Sequence, residues 1–181
     1  SPSAGAYITN TTPTIEFQVK DTDSGVNAGT IAVTVDGIAV STVTKTAIDG
    51  GYKCTCTSPT LKDGSHTISV KASDNDGNAA AAKTATFTVD TVPPTLQITA
   101  PSNDLITNKK TVTVSGKTDD VSSKPVTVTV NGATVTVGTD GTFTKDVTLA
   151  EGANTITIVA KDKAGKTTTV TRKVTVDTSA P

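Results

Sequence analysis

Two stretches decide the fold: His66-Thr-Ile-Ser-Val-Lys-Ala-Ser-Asp74 and Asn154-Thr-Ile-Thr-Ile-Val-Ala-Lys-Asp162. In the second, Ile156, Ile158 and Ala160 alternate with polar neighbours, the period of a half-buried strand. The two stretches are copies of one another. The match runs without gaps from Leu61–Asn78 to Leu149–Lys166, and Leu61, Gly64, Ile68, Asp74 and Gly77 recur as Leu149, Gly152, Ile156, Asp162 and Gly165. Further out, Val-Thr-Val-Asp-Gly (33–37) recurs as Val-Thr-Val-Asn-Gly (128–132), and Ile-Thr-Asn (8–10) as Ile-Thr-Asn (106–108). The period is about 88–98 residues. That is far longer than a solenoid repeat, so each copy is a whole domain.

The boundary falls at Asp90–Pro94, giving domains 1–91 and 92–181. Pro93 and Pro94 fix their own φ and favour extended geometry before them, so the connector is expected to be short and stiff. The second copy opens with Thr95-Leu-Gln-Ile-Thr-Ala100, a strand for which the first copy has no counterpart. The chain begins at Ser1 without methionine and closes at Pro181, where a third copy would start. An interior segment of a longer secreted protein is the expectation.

Each copy reads as about seven short strands. In the second, Leu96 and Ile98, then Val112 and Val114, then Val126, Val128 and Val130 take alternate positions. Asn131-Gly132 follows as a tight hairpin turn, because both residues tolerate positive φ. Val135 and Val137, Phe143 and Val147 with Leu149, Ile156 to Ala160, and Val170 to Val176 complete the set. Strands of this length with a turn every 8–12 residues point to an all-β, antiparallel sandwich. Threonine and valine are abundant, as suits a pleated surface. In the first copy Tyr52, Cys54 and Cys56 share one strand face. Residues i and i+2 lie about 6.7 Å apart, at the edge of disulfide reach, so the cysteines are expected as buried apolar groups.

Composition excludes several functions. Net charge is −1, without the basic stripe that nucleic-acid binding needs. No run of roughly 18 apolar residues exists to span a membrane. The single histidine, His66, stands where the second copy has Asn154, so it is expected as a surface or rim side chain. No nucleophile elbow, phosphate loop or His-Glu-x-x-His occurs, so no enzyme is expected. Of the five aromatics, Phe17, Tyr52, Phe87 and Phe143 fall on expected strands and only Tyr7 does not; Tyr52, Phe17 and Phe143 also have core-facing parity, so a sugar-binding face is not expected. Asn10-Thr11-Thr12 matches a glycosylation acceptor, a short motif that arises readily by chance.

Acidic loops are the sharper feature. Sandwich topology carries the loops after strands two and six to the pole where a domain begins. For the second domain these hold Asp119, Asp120 and Asp162, and the connector supplies Asp90. Carboxylates on irregular loops suit Ca²⁺, which takes 6–8 oxygen ligands. The first domain offers Asp21, Asp23, Asp74 and Asp76 at its own leading pole, an incomplete set without an upstream connector. The competing reading is that all eight are ordinary turn residues, since Asp bonds locally in turns.

Asn154–Gly165, Val174–Pro181, Asp140-Gly-Thr-Phe143 and Asp23-Ser-Gly-Val26 resemble bacterial immunoglobulin-like domains. The resemblance implies two tandem immunoglobulin-like sandwiches, the first lacking its first strand. It also implies an extracellular setting, on a cell surface or in a secreted protein. Such domains build adhesin stalks and accessory modules of secreted polysaccharide-degrading enzymes. Some of their arrays hold Ca²⁺ between domains through Asp in matching loops. The expected role is therefore a structural spacer whose partners are neighbouring repeats. The rival is a binding module directed at a host or cell-wall glycan or protein.

Overall fold

A computed structural model describes residues 1–180. The chain divides into two compact units, Ser1–Thr91 and Val92–Pro181. Both are built from strands, and no helix is present among the described residues.

The first unit contains β1 (Tyr7–Ile8), β2 (Thr14–Lys20), β3 (Val26–Val35), β4 (Ile38–Ala39), β5 (Thr44–Ile48), β6 (Gly51–Thr57), β7 (Gly64–Asp74) and β8 (Lys83–Val89). One sheet has the order β1-β8-β7-β3-β4 and the other β2-β6-β5. Ile15, Val33, Val35, Ile68, Phe87 and Val89 fill the space between them. Cys54 and Cys56 are buried and unbridged on one face of β6, as the alternation implies. Burial raises both thiols above their ordinary pKa, which suits inert packing groups.

The second unit contains β9 (Thr95–Ala100), β10 (Leu105–Thr107), β11 (Thr111–Asp119), β12 (Thr127–Val130), β13 (Ala133–Val135), β14 (Thr142–Thr148), β15 (Gly152–Lys161) and β16 (Thr167–Val176). Its sheets are β10-β16-β15-β12-β13 and β14-β11-β9. One continuous core of Val, Ile, Leu and Phe side chains joins them, with Leu96 and Ile98 of β9 packed against it. The first unit has no strand in the place of β9.

The ladders are antiparallel with two exceptions. β1 runs parallel to β8, and β10 parallel to β16. In the second unit the chain leaves β9 at one edge, turns through Asp104 at φ 59°, and continues in the same sense along the other sheet. A strand of two or three residues carries too little alternation to be seen in sequence.

Gly116 explains how β9 closes on β11. A Cβ at this position meets the Gln97 carbonyl oxygen at 2.5 Å and the Phe143 ring at 2.8 Å. The register slips between Ser115 and Gly116 at the same point. Gly116→Ala is therefore expected to destabilise the second unit by about 1–3 kcal/mol, the usual penalty of overpacking. Calorimetry resolving the two unfolding transitions checks it.

The hairpins Asp36-Gly37 and Asn131-Gly132 take the positive φ pairs expected of them, 52°/80° and 47°/81°. Their seating differs between the units. Gly64 faces Val89 and Gly152 faces Val176, so Ile68 and Ile156 are structural equivalents. Val35 lies opposite Ile68, whereas Val130 lies opposite Ile158. The first hairpin thus sits two residues nearer the start of its partner strand.

Candidate functional site

Asp120 follows β11, and Asp162 follows β15. Asp120 Oδ1 accepts the Ser122 N–H at 2.8 Å and the Ser123 N–H at 2.7 Å, a local turn of the kind Asp favours. Asp162 opens a second turn, in which its Oδ1 accepts the Lys166 N–H at 2.9 Å and its own N–H donates to the Lys166 carbonyl. The Lys163 N–H donates to the Ser123 carbonyl and ties the two loops together.

The two carboxylates are buried and offer oxygens within 4.8 Å of one another. Asp162 Oδ2 and Ser123 Oγ are also buried, and neither has a hydrogen-bond partner. Ser123 has no exposed surface at all. A buried polar atom without a partner costs about 1–3 kcal/mol. Two carboxylates held close and dry also repel. A hard cation answers both, since its ligands are oxygens of this type. Asp120 and Asp162 offer oxygens of the type Ca²⁺ takes, two of the roughly 6–8 ligands it needs.

The first unit shows why its own acidic pole differs. Asp74 stands where Asp162 stands, and Asn78 where Lys166 stands. The Asn78 N–H donates to Asp74 Oδ1 and its Nδ2 to Asp74 Oδ2, both at 2.7 Å. These Asn78 bonds hold the Asp74 carboxyl below the usual carboxylate range. Lys166 has no amide to repeat the second bond, which leaves the Oδ2 of Asp162 without one. Asp21 is likewise spent locally, on the Asp23 N–H at 3.4 Å and the Ser24 hydroxyl at 3.2 Å. Among the described residues, Asp21, Asp23, Asp74 and Asp76 do not bring three ligand atoms together.

Two further acidic residues take different places. The Asp119 carboxylate meets Lys124 Nζ at 2.7 Å on the surface, and this pairing lowers its pKa. Asp90 ends the first unit just beyond β8, where its N–H donates to the Ile8 carbonyl at 2.9 Å and its side chain is buried.

His66 overturns the expectation of a rim side chain. It is buried, with Nδ1 2.7 Å from Asp36 Oδ2 and Nε2 2.7 Å from the Lys62 carbonyl oxygen. The Phe87 ring lies 5.6 Å away, centroid to centroid, and closes one side. The cause is the seating of the first hairpin, which brings Asp36 onto the histidine. The Asn10 amide oxygen accepts the Thr12 N–H in its own turn.

Residues 3–91 match the family described as bacterial Ig-like domain, and residues 94–178 match the one described as glucodextranase, domain B. Bacillopeptidase F of Bacillus subtilis (strain 168) is 35% identical over 126 residues, covering 70% of this chain and 8% of that protein. The chain therefore spans under a tenth of that relative. The fibronectin(III)-like modules of Clostridium thermocellum CbhA superpose with a TM-score of 0.55 at 19% identity, over 98% of this chain and 92% of theirs. An I-band fragment of titin superposes with a TM-score of 0.53 at 13% identity, over 96% of this chain and 62% of its own. At these identities the likeness is one of fold.

Proposed function

The chain is a tandem of bacterial immunoglobulin-like domains, and from that premise we propose that it is a non-catalytic spacer of a bacterial cell-surface or secreted protein. The repeat itself carries this reading. Two copies of one sandwich are joined by a short connector ending in Pro93-Pro94, and the Asp74 and Asp162 carboxylates each hold a turn of their own unit. The match to a small part of a much longer B. subtilis peptidase supports a non-catalytic segment of a larger protein. Ca²⁺ is the proposed ion of the second unit, held by Asp120 and Asp162 with Ser123 beside them. The partners are neighbouring repeats of the same parent chain.

Small-angle scattering tests the spacer. A narrow distance distribution that holds across salt and temperature is expected. A broad one, as from a freely jointed pair, counts against it.

One observation favours a second reading. The match of residues 94–178 to a domain of glucodextranase, named for a glucan-degrading enzyme, suggests a carbohydrate-directed module. A glycan array separates the two. No binding is expected of a spacer, and reproducible binding lost in Tyr7→Ala would establish the alternative.

A further inference from the structure

Each unit fastens its own C-terminal segment with one acidic side chain. In the first, Asp63 Oδ1 accepts the Thr91 N–H at 3.1 Å and Oδ2 the Thr91 hydroxyl at 2.9 Å. In the second, Glu151 receives the Thr178 N–H at 2.8 Å and the Thr178 hydroxyl at 2.7 Å. The anchor is shared, but the support of its loop is not. Asn154 steadies the loop of the second unit, accepting the Ala150 N–H and donating to the carbonyls of Ala150 and Gly152. An amide does not titrate. In the first unit the corresponding loop is held by His66, through the carbonyl of Lys62, the residue next to Asp63.

The ring faces an acceptor on both sides. A backbone carbonyl only accepts, and an ionised carboxylate only accepts. Neutral imidazole carries one N–H, so it satisfies one of these partners and turns a lone pair towards the other. The imidazolium alone donates to both. Asp36 is set for that role, since its Oδ1 is fixed by the Thr67 N–H at 2.8 Å while Oδ2 faces the ring. The second unit has no such arrangement, because its hairpin sits two residues further along. There Asn131 accepts the Thr157 N–H and has no bond to Asn154.

We infer that His66 is a proton-operated latch of the first unit, which in its doubly protonated form ties the Asp36-Gly37 turn to the loop that anchors Thr91. Loss of the proton breaks one of its two bonds and loosens that loop, and with it the hold of Asp63 on Thr91. The second unit, latched by Asn154, keeps its anchor across the same pH range.

The groups around the ring are few. The β3–β4 turn presents Asp36, and the loop presents the Lys62 carbonyl together with Asp63, whose oxygens are turned to Thr91. β8 presents the uncharged ring of Phe87, and the neighbours on β7 are Ser65 and Thr67. Burial works against the charge on His66, but the bonds to Asp36 and Lys62 outweigh it and raise its pKa above the ordinary value. Asp36 is desolvated too, yet its bonds to His66 and Thr67 take it below the ordinary value. For the raised histidine, the stabilisation is complete below its unfolded pKa of about 6.5 and is lost as pH climbs through the folded value. For the lowered carboxyl, it is complete above about 3.9 and is lost as pH falls through the folded value. The latch is closed between the two folded values.

The chain has one histidine, so one imidazole resonance reports on the latch without assignment. In an NMR titration the midpoint is expected above pH 6.5. Protection of the Thr67 and Thr91 amides, corrected for the base dependence of intrinsic exchange, is expected to fall through the same midpoint. Asp36→Asn is expected to bring the midpoint to 6.5 or lower. His66→Asn, which installs the residue of the second unit, is expected to keep the fold and abolish the pH dependence at Thr91. A native midpoint at or below 6.5 overturns the proposal, whether or not the variants fold. So does a high midpoint with Thr91 protection unchanged across it, or one that Asp36→Asn leaves in place.

Discussion

Millimolar CaCl₂ is expected to raise the melting transition of the second unit above its value in EDTA and to leave that of the first unit unmoved. An ion that binds only the native state adds RT ln(1 + [L]/Kd), about 2.7 kcal/mol at a hundredfold excess over Kd. For a domain of this size that corresponds to a rise on the order of 10 °C. The asymmetry follows from Asn78 and Lys166. Both oxygens of Asp74 are already engaged by Asn78, whereas Asp162 Oδ2 and Ser123 Oγ are buried without partners. Asp162→Asn and Asp120→Asn are expected to remove the rise. Lys166→Asn is the more discriminating change. It gives the second unit the amide that satisfies Asp74 in the first, so it should reduce the calcium response while preserving or improving stability in EDTA. Identical melts in EDTA and CaCl₂ would leave Asp120 and Asp162 as turn residues alone.

The contrast between these two turns marks how far the sequence could be read. The strand framework was legible because burial imposes period 2 wherever one face is wet. Ile156, Ile158 and Ala160 are all fully buried, as their alternation implies. The hairpins were legible because Asp-Gly and Asn-Gly are among the few pairs that adopt two positive φ values in succession. Register was not. Val-Thr-Val-Asp-Gly and Val-Thr-Val-Asn-Gly look like equivalents, yet they sit two residues apart along their partner strands. A shift of two keeps every side chain on its own face, so the hydrophobic pattern cannot report it. The burial and pairing of His66 depend on that shift and left no trace in the sequence. Asp119 was misleading for a related reason. Its neighbour Asp120 turns inward and Asp119 outward to Lys124, a choice made by the local turn rather than by composition. The short parallel strands β1 and β10 escaped for want of length.

Phe87→Ala is expected to be the most damaging single substitution in the first unit. Phe87 is 2% exposed and is the largest of its fully buried side chains. It packs with Ile15, Val33, Val35, Ile68 and Val89, the residues that join the two sheets. Truncating a buried Phe removes its transfer energy and leaves a cavity that the surroundings only partly fill, a combined cost of about 3–5 kcal/mol. A small domain has only about 5–15 kcal/mol of stability in total, so the loss takes a large share of it. The ring also closes one side of His66, and its removal admits water to the imidazole. Water there relieves the burial that opposes the imidazolium and at the same time competes with its bonds to Asp36 and Lys62, so the two effects on the His66 midpoint oppose each other. The second unit provides the control. Its core is a separate cluster with no residue in common, so its transition is expected to stay within about 0.5 kcal/mol of the parent value, as for independent sites. Calorimetry with two resolved transitions decides the matter. A first transition displaced far downward beside an unmoved second one establishes two separately folding units. Displacement of both by similar amounts shows instead that the tandem unfolds as one cooperative body, and the reading of each sandwich as its own folding unit fails.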